Sequence, residues 1–293
     1  MKKIWILILL ITTTVIAGGL HLPENRLYIP KRDTGYTQYN TPSLHKNSTY
    51  VLTFDDGPHP VHTAKILDIL KKNKVRATFF ILTKKLNKKT LPIFKRILDE
   101  GHIASSHNHI HDHNNRIPEA VFKKNIKSSI LKLAEYYKLA GHTMDTFYFR
   151  FPYAEYGGHK GYHHMNVIKE VSDELFGKNC IHFVFWDIDS GDWIPKLTPD
   201  EVFKNIRAHH IGGEFTTYKI GRNNNGRKVI LKKPAYVKDP TEGGVILQHD
   251  IQKRSVKGTE LFLKYAKENY IDIVPLTSVD EFSYSGLNCK LLE

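Results

Sequence analysis

A parallel α/β fold is predicted by two observations. Strand-like apolar runs alternate with segments of helical periodicity from about residue 50 onward, and the polar clusters fall just after strand-like runs. In a closed parallel barrel the strand ends share one face, so groups far apart in sequence converge there.

Taken in order, the alternation reads as Tyr50–Thr53 then helix His62–Lys72, Val75–Leu82 then Leu91–Glu100, and His102–Ser106 then Pro118–Leu139. It continues with Thr146–Phe149 and a helix about Val167–Phe176, then Ile181–Trp186 and Thr198–His209. Gly244–Leu247, helix Thr259–Tyr270 and Ile271–Pro275 complete seven candidate strands. Helix starts are signalled locally: Thr198-Pro199-Asp200-Glu201 offers an N-cap, a first-turn proline and acids where the helix dipole favours them.

Two segments look added. Ala154–His164 is rich in Gly and His, follows a strand and is expected on the face that gathers the polar clusters. Glu214–Ile220 and Arg227–Lys232 flank Gly221-Arg222-Asn223-Asn224-Asn225-Gly226, a natural hairpin turn. Because that hairpin follows a helix and precedes a strand, it is expected on the opposite face, as a basic handle or a solvated flap.

The ends and the composition set the context. Met1–Ala17 places Lys2 and Lys3 before an apolar run that ends in Val15-Ile16-Ala17, as in a signal peptide. Left uncleaved, Ile4–Leu20 is long enough for an N-terminal anchor. Residues 18–48 read as a linker and 49–293 as one domain. The expected location is therefore outside the cytoplasm: periplasm, cell wall or medium. The formal net charge is +13, and loss of Met1–Ala17 leaves +11, which favours anionic company such as wall polymer or a lipid surface. Nucleic acid is excluded as the partner, since the lysines are spread over many helices and no nucleic-acid module signature occurs. The two cysteines, Cys180 and Cys289, do not make a disulfide framework and are expected as unpaired thiols.

The chemistry begins at Thr53-Phe54-Asp55-Asp56-Gly57-Pro58, where two carboxylates end an apolar run before a turn. One can serve as a metal ligand and the other as a base. In His107-Asn108-His109-Ile110-His111, His107 and His111 stand at the i, i+4 spacing that lets two imidazoles share an ion, and so do His109 and His113. Further clusters are Arg150-Phe151-Pro152-Tyr153, Asp187-Ile188-Asp189-Ser190-Gly191-Asp192-Trp193 and Leu247-Gln248-His249-Asp250.

This ordered set, spanning roughly Tyr50 to Thr277, resembles the polysaccharide deacetylase family, the NodB-homology domain of carbohydrate esterase family 4. Asn108 stands where the family usually has Thr or Ser, and Asp112 where it often has Pro; neither is a ligand position. The resemblance implies a distorted (β/α) barrel with fewer strands than the regular eight, to which the hairpin is added.

It further implies that Asp56, His107 and His111 bind a divalent metal, with zinc the first choice. Asp55 would be the general base, held by Arg150, and the Tyr153 N–H an oxyanion donor. His249 would be the general acid, supported by Asp192. Trp193 and Pro152 would line the sugar groove and Leu247 the acetyl-methyl pocket, although plain core packing accounts for Leu247 nearly as well.

The implied activity is metal-dependent removal of N-acetyl groups from a GlcNAc polymer, peptidoglycan first. Chitin oligomers, poly-N-acetylglucosamine and O-acetyl xylan are alternatives, as is a non-catalytic wall-binding protein of the same fold.

Overall fold

The computed structural model describes residues 28–30, 37–39, 41–157, 163–178, 180–284 and 287–292. The expected signal segment, residues 1–17, lies outside them, as does most of the linker. Short strands β1 (Tyr28–Pro30) and β2 (Thr37–Tyr39) pair with each other. From Thr41 onward the chain is packed: Leu44 is buried, and the Thr41 N–H donates to Asp187 Oδ1 at 2.7 Å. Residues 41–48 are thus part of the folded body rather than a free linker.

The body is a parallel sheet with helices outside it. In chain order its elements are β3 (Thr49–Asp55), α1 (His62–Asn73), β4 (Thr78–Ile81), α2 (Leu91–Asp99), β5 (Ile103–Ser106) and α3 (Glu119–Leu139). There follow β6 (Tyr148–Phe149), α4 (His163–Leu175), β7 (His182–Phe183), β8 (Ile188–Asp189) and α5 (Pro199–Ile211). An antiparallel hairpin of β9 (Gly213–Arg222) and β10 (Lys228–Val237) precedes β11 (Gly244–His249), α6 (Lys253–Glu268) and β12 (Asp272–Ile273).

Strands run in the order β7-β6-β5-β4-β3-β11-β8, the distorted barrel of about seven strands that the sequence predicts. β8 was not legible as a strand; it is two residues long and exists by pairing Ile188 and Asp189 with Ile246 and Leu247. β12 is tucked against the foot of β3, where Asp272 and Ile273 pair with Thr49 and Tyr50.

Alternation along the strands sorts side chains into two layers. Tyr50, Leu52 and Phe54 of β3 point outward into the main core beneath the helices. Val51, Phe80, Tyr148, Val184 and Val245 point inward and fill the lumen, with Leu44, Leu276, Val279 and Phe282 in the same cluster. Above that plug stand Thr53 and Leu247, paired in register, and above them Asp55 and His249, paired again. Period-two geometry therefore puts the carboxylate and the imidazole side by side at the rim.

The barrel has a seam where residues 184–187 connect its end strands. Arg150 fills it from within: Nε donates to the Val184 carbonyl (2.8 Å) and Nη2 to that of Phe185 (3.0 Å).

Two expectations are corrected. Cys180 and Cys289 form a disulfide across 109 residues of chain. The tail returns to the end of α4, where Leu292 N–H donates to Leu175 O and brings the sulfurs together. Sequence could not show that proximity.

The hairpin does start at the far end of α5, but it runs back along that helix toward the rim that carries Asp55 and His249. The Asn205 side chain holds both the N–H and the carbonyl of Thr216 (2.8 Å each), Lys232 pairs with Glu201 in the first turn of α5 (2.7 Å), and the Tyr218 ring lies 4.8 Å from that of Trp193. Ten-residue strands reach about 33 Å, whereas the 13-residue α5 is about 20 Å long, so the tip overshoots the helix.

Candidate metal and catalytic site

β3 ends at Asp55, and Asp56 takes a left-handed conformation (φ 75°) that Asp tolerates better than most residues. The two carboxylates are thereby sent to different partners. Asp55 Oδ1 accepts Arg150 Nη1 at 2.8 Å, and Asp55 Oδ2 lies 3.7 Å from His107 Nε2. Asp56 Oδ1 is buried without a hydrogen-bond partner, 3.6 Å from His107 Nε2 and 3.7 Å from His111 Nε2.

One ligand atom from each of Asp56, His107 and His111 falls within 4.8 Å of the other two. His107 Nδ1 donates to the Arg150 carbonyl (2.8 Å), which leaves Nε2 as the lone-pair nitrogen facing Asp56. Burial pushes the His107 imidazole down to about 3 and lowers that of His111, so both are neutral, as ligands must be. An orphaned buried oxygen facing two neutral imidazole nitrogens is a donor set that fits a divalent cation with positions left open.

The competing pair does not assemble. His109 Nδ1 is engaged with Thr83 Oγ1 (3.1 Å), while His113 bonds Glu155 (2.9 Å) and stacks on Tyr153 at 4.1 Å. Asn108, where the sequence departs from the family, adopts φ 72°, and its side chain accepts the His109 N–H. The left-handed turn it supports carries the chain from one ligand toward the next.

Arg150 is wholly buried, its guanidinium 4.3 Å from the centre of the Phe80 ring. Besides the seam carbonyls it donates to Thr53 Oγ1 (2.7 Å) and Asp55. Burial raises the Asp55 carboxyl above its ordinary value, and the positive charges of Arg150 and His249 oppose that rise.

Opposite stands His249. Its Nδ1 lies 2.6 Å from Asp192 Oδ1 and its backbone N–H donates to Asp192 Oδ2 at 2.6 Å, which leaves Nε2 for the site. Burial alone would lower this imidazole; the buried Asp192 carboxylate outweighs it and holds the ring up to about 10, so it is protonated at neutral pH.

Residues 44–164 match the family model for polysaccharide deacetylases. Those residues belong to a polysaccharide deacetylase domain. A peptidoglycan-N-acetylglucosamine deacetylase of Bacillus cereus is 32% identical over 164 residues, which are 55% of this chain and 52% of that protein. PdaA of Bacillus subtilis, a peptidoglycan-N-acetylmuramic acid deacetylase, is 30% identical over 187 residues, 61% of this chain and 63% of its own. The chain thus spans about half to just under two thirds of these curated relatives.

A solved peptidoglycan N-acetylglucosamine deacetylase aligns with a TM-score of 0.56 at 26% identity, covering 82% of this chain and 91% of that one. The fold is also that of a family 4 acetyl xylan esterase from Clostridium thermocellum, solved with cobalt (TM-score 0.55, 23% identity, 79% of this chain and 89% of that one).

The remaining candidates sit around the rim. Tyr153 is left-handed (φ 56°), and the turn's hydrogen bonds run from Ala154 N–H to Phe151 and from Glu155 N–H to Pro152, with no acceptor for the Tyr153 N–H among the described residues. Its ring meets His111 edge-on at 4.2 Å. Pro152 is buried at the start of this turn. Leu247 is buried in the lumen between Val245 and His249, outside both large apolar clusters. Trp193 is half-buried, with Nε1 donating to the Asp189 carboxylate at 3.0 Å. Of the added loop expected on this face, Glu155 binds His113 and the Asn115 N–H.

Sequence reasoning missed the supports. Thr53 passes the Arg150 bond on to the Ile246 carbonyl, Ser255 donates to Asp192 Oδ2, and Arg254 donates to the Asp192 carbonyl. Asp189, at the end of its strand, orients Trp193. Asp250 accepts a hydrogen bond from Thr63, and burial lifts its carboxyl to about 7. Thr53, Asp189 and Asp250 stand inside the quoted clusters without a local sign of their partners, and Arg254 and Ser255 lie outside them.

Proposed function

We propose that the protein is an exported, metal-dependent deacetylase that hydrolyses N-acetyl groups of GlcNAc residues in peptidoglycan. The observation that carries this reading is the convergence, on one rim, of a cation-binding triad, a carboxylate held by a buried arginine and an imidazole held protonated by a buried carboxylate. Peptidoglycan is chosen over chitin because the relatives named above act on peptidoglycan, and because the expected signal segment and basic charge suit a wall enzyme.

Asp56, His107 and His111 would hold the ion, zinc by ligand type. When bound, it supplies Lewis acidity toward the acetyl oxygen and lowers the pKa of water. Asp55 takes the proton of the attacking water through Oδ2, its other oxygen fixed by Arg150; burial makes it a stronger base than an exposed aspartate. The Tyr153 N–H donates to the oxygen that gains charge in the tetrahedral intermediate. His249 delivers a proton through Nε2 to the departing amine, which cannot leave as an anion; the ring then takes up a proton from solvent, a state that the Asp192 carboxylate favours. Trp193 offers its ring face to a sugar, and Leu247 and Pro152 bound the pocket beside it.

Mass spectrometry of digested peptidoglycan, chitin and acetylated xylan after incubation with the zinc-loaded protein tests the reading. Loss of one acetyl mass from the glucosamine of peptidoglycan fragments is expected. Loss confined to xylan would overturn amide specificity, and loss on none with a metal-loaded, folded protein would favour the binding-protein alternative.

A further inference from the structure

We infer that the β9–β10 hairpin is an arm of the substrate cleft that holds an anionic glycan strand, the carboxylate-bearing chain of peptidoglycan, against the Trp193 side of the site. This rests on the proposed function for its substrate, and on three observations of its own.

The first is position. Tyr218 packs on Trp193, whose neighbour Asp192 holds His249, so the arm is continuous with the catalytic rim. Three anchors fix it: the Tyr218 ring contact, the Lys232–Glu201 pair, and Asn205, which joins Thr216 to the Ser190 carbonyl.

The second is an unpartnered face. Cross-strand register pairs Tyr218 with Lys232, Ile220 with Ile230 and Arg222 with Lys228, so these three pairs share one face. The first pair grips the body. The next two continue past it toward the tip and stand in solvent, Ile220 at 66% exposure and Ile230 at 38%. An apolar step followed by a cationic one, beginning at two aromatic rings, suits a sugar chain that lays its carbon faces on apolar groups and its carboxylates near ammonium and guanidinium heads.

The third is charge. From Phe215 to Lys238 the chain has seven Lys and Arg, Lys238 included, and no Asp or Glu. Among the described ion pairs only Lys232 of these has a carboxylate partner. The tip, Asn223-Asn224-Asn225-Gly226, is polar and exposed, which does not suit insertion into a lipid surface.

The test prunes the arm at a paired position. Residues 219–231 are replaced by Asn-Gly, which closes Tyr218 onto Lys232 with a two-residue turn and keeps all three anchors. A second, full-length variant, K219Q/R222Q/R227Q/K228Q, keeps the arm and removes the four cations that lie beyond the Tyr218–Lys232 pair.

Affinity for fluorescently labelled, uncross-linked peptidoglycan strands is compared with affinity for neutral chitotetraose. For both variants the strand-to-chitotetraose affinity ratio is expected to fall about tenfold at low salt and to converge with that of the intact protein at about 1 M salt. An unaltered ratio overturns the proposal, and so does an equal loss on both ligands. Loss of binding to phosphatidylglycerol vesicles with strand affinity retained would instead make the arm a membrane contact. Binding is read without turnover, so an intact protein that releases no acetate refutes the proposed activity, while the affinity ratio alone decides the role of the arm.

Discussion

Asp55 and Asp56 are chain neighbours with opposite surroundings, one gripped by a guanidinium and the other facing two imidazoles with an orphaned oxygen. Their variants are expected to fail differently. D55N should retain metal after dialysis and lose about 10²–10⁴-fold in kcat, whereas D56A should lose both metal and activity. Full metal content in D56A, measured by atomic emission, would remove Asp56 from the ligand set.

The His249–Asp192 pair predicts a pH effect. With its carboxylate the imidazole stays protonated to about pH 10; D192N leaves burial as the main influence, which lowers it. The alkaline limb of kcat should therefore move to lower pH in D192N. A raised folded value also means that the pair's contribution to stability is full below the unfolded value of about 6.5 and fades as pH climbs through about 10. Urea midpoints of the parent protein should decline over that window, and those of D192N should decline less. An unshifted limb would mean that another group sets it. Asp55, Asp56, His107, His111, Arg150, Asp192 and His249 were legible in the sequence because their types and order are unusual. Thr53, Ser255 and Arg254 were not, because what makes them matter is a partner many residues away.

At the level of elements, the short strands set the site. β6 contributes two residues to the sheet, yet the next residue, Arg150, crosses the lumen to bond the carbonyls of the seam. A lysine there keeps one positive charge but not the planar fork that serves both carbonyls, Thr53 and Asp55 together. R150K is expected to lower stability by about 3 kcal/mol, read as an earlier urea midpoint, and to reduce activity in the same variant. A catalytic loss with an unmoved midpoint would show that the seam does not depend on this side chain. Helix boundaries were readable where capping chemistry is local, as at Thr198 and Glu201, whose side chains bond each other's backbone N–H. The hairpin's course was not: its place after α5 tells where it begins, while strand length and the Tyr218 and Lys232 contacts decide where it ends. Two-residue β6 and β7 were readable because longer apolar runs surround them, whereas β8 lies in the polar cluster after Trp186 and has no such run to mark it.

For the molecule as a whole, alternation of apolar runs was sufficient for a parallel barrel, because central strands such as β3, β4 and β11 are buried on both faces and the helices on one. The closure between Cys180 and Cys289 was hidden, since a sequence separation of 109 carries no local sign of it. Removing it, as C180S/C289S, is expected to cost about 4 kcal/mol and roughly 10 °C in Tm under oxidising conditions, and nothing when both proteins are scanned with reductant. An unchanged Tm in both would mean that the bridge adds no constraint beyond the tail's own packing.

The same bridge turns the oxidation state of the surroundings into a property of the fold. A copy that matures in a reducing cytosol keeps its final residues fastened only by contacts such as Leu292 to Leu175, whereas a copy that matures beyond the membrane acquires a covalent latch. Each molecule thus carries a chemical record of the compartment in which it folded. Recombinant batches from cytosolic and secretory hosts should be told apart by thiol titration and protease resistance of the tail before any activity is compared.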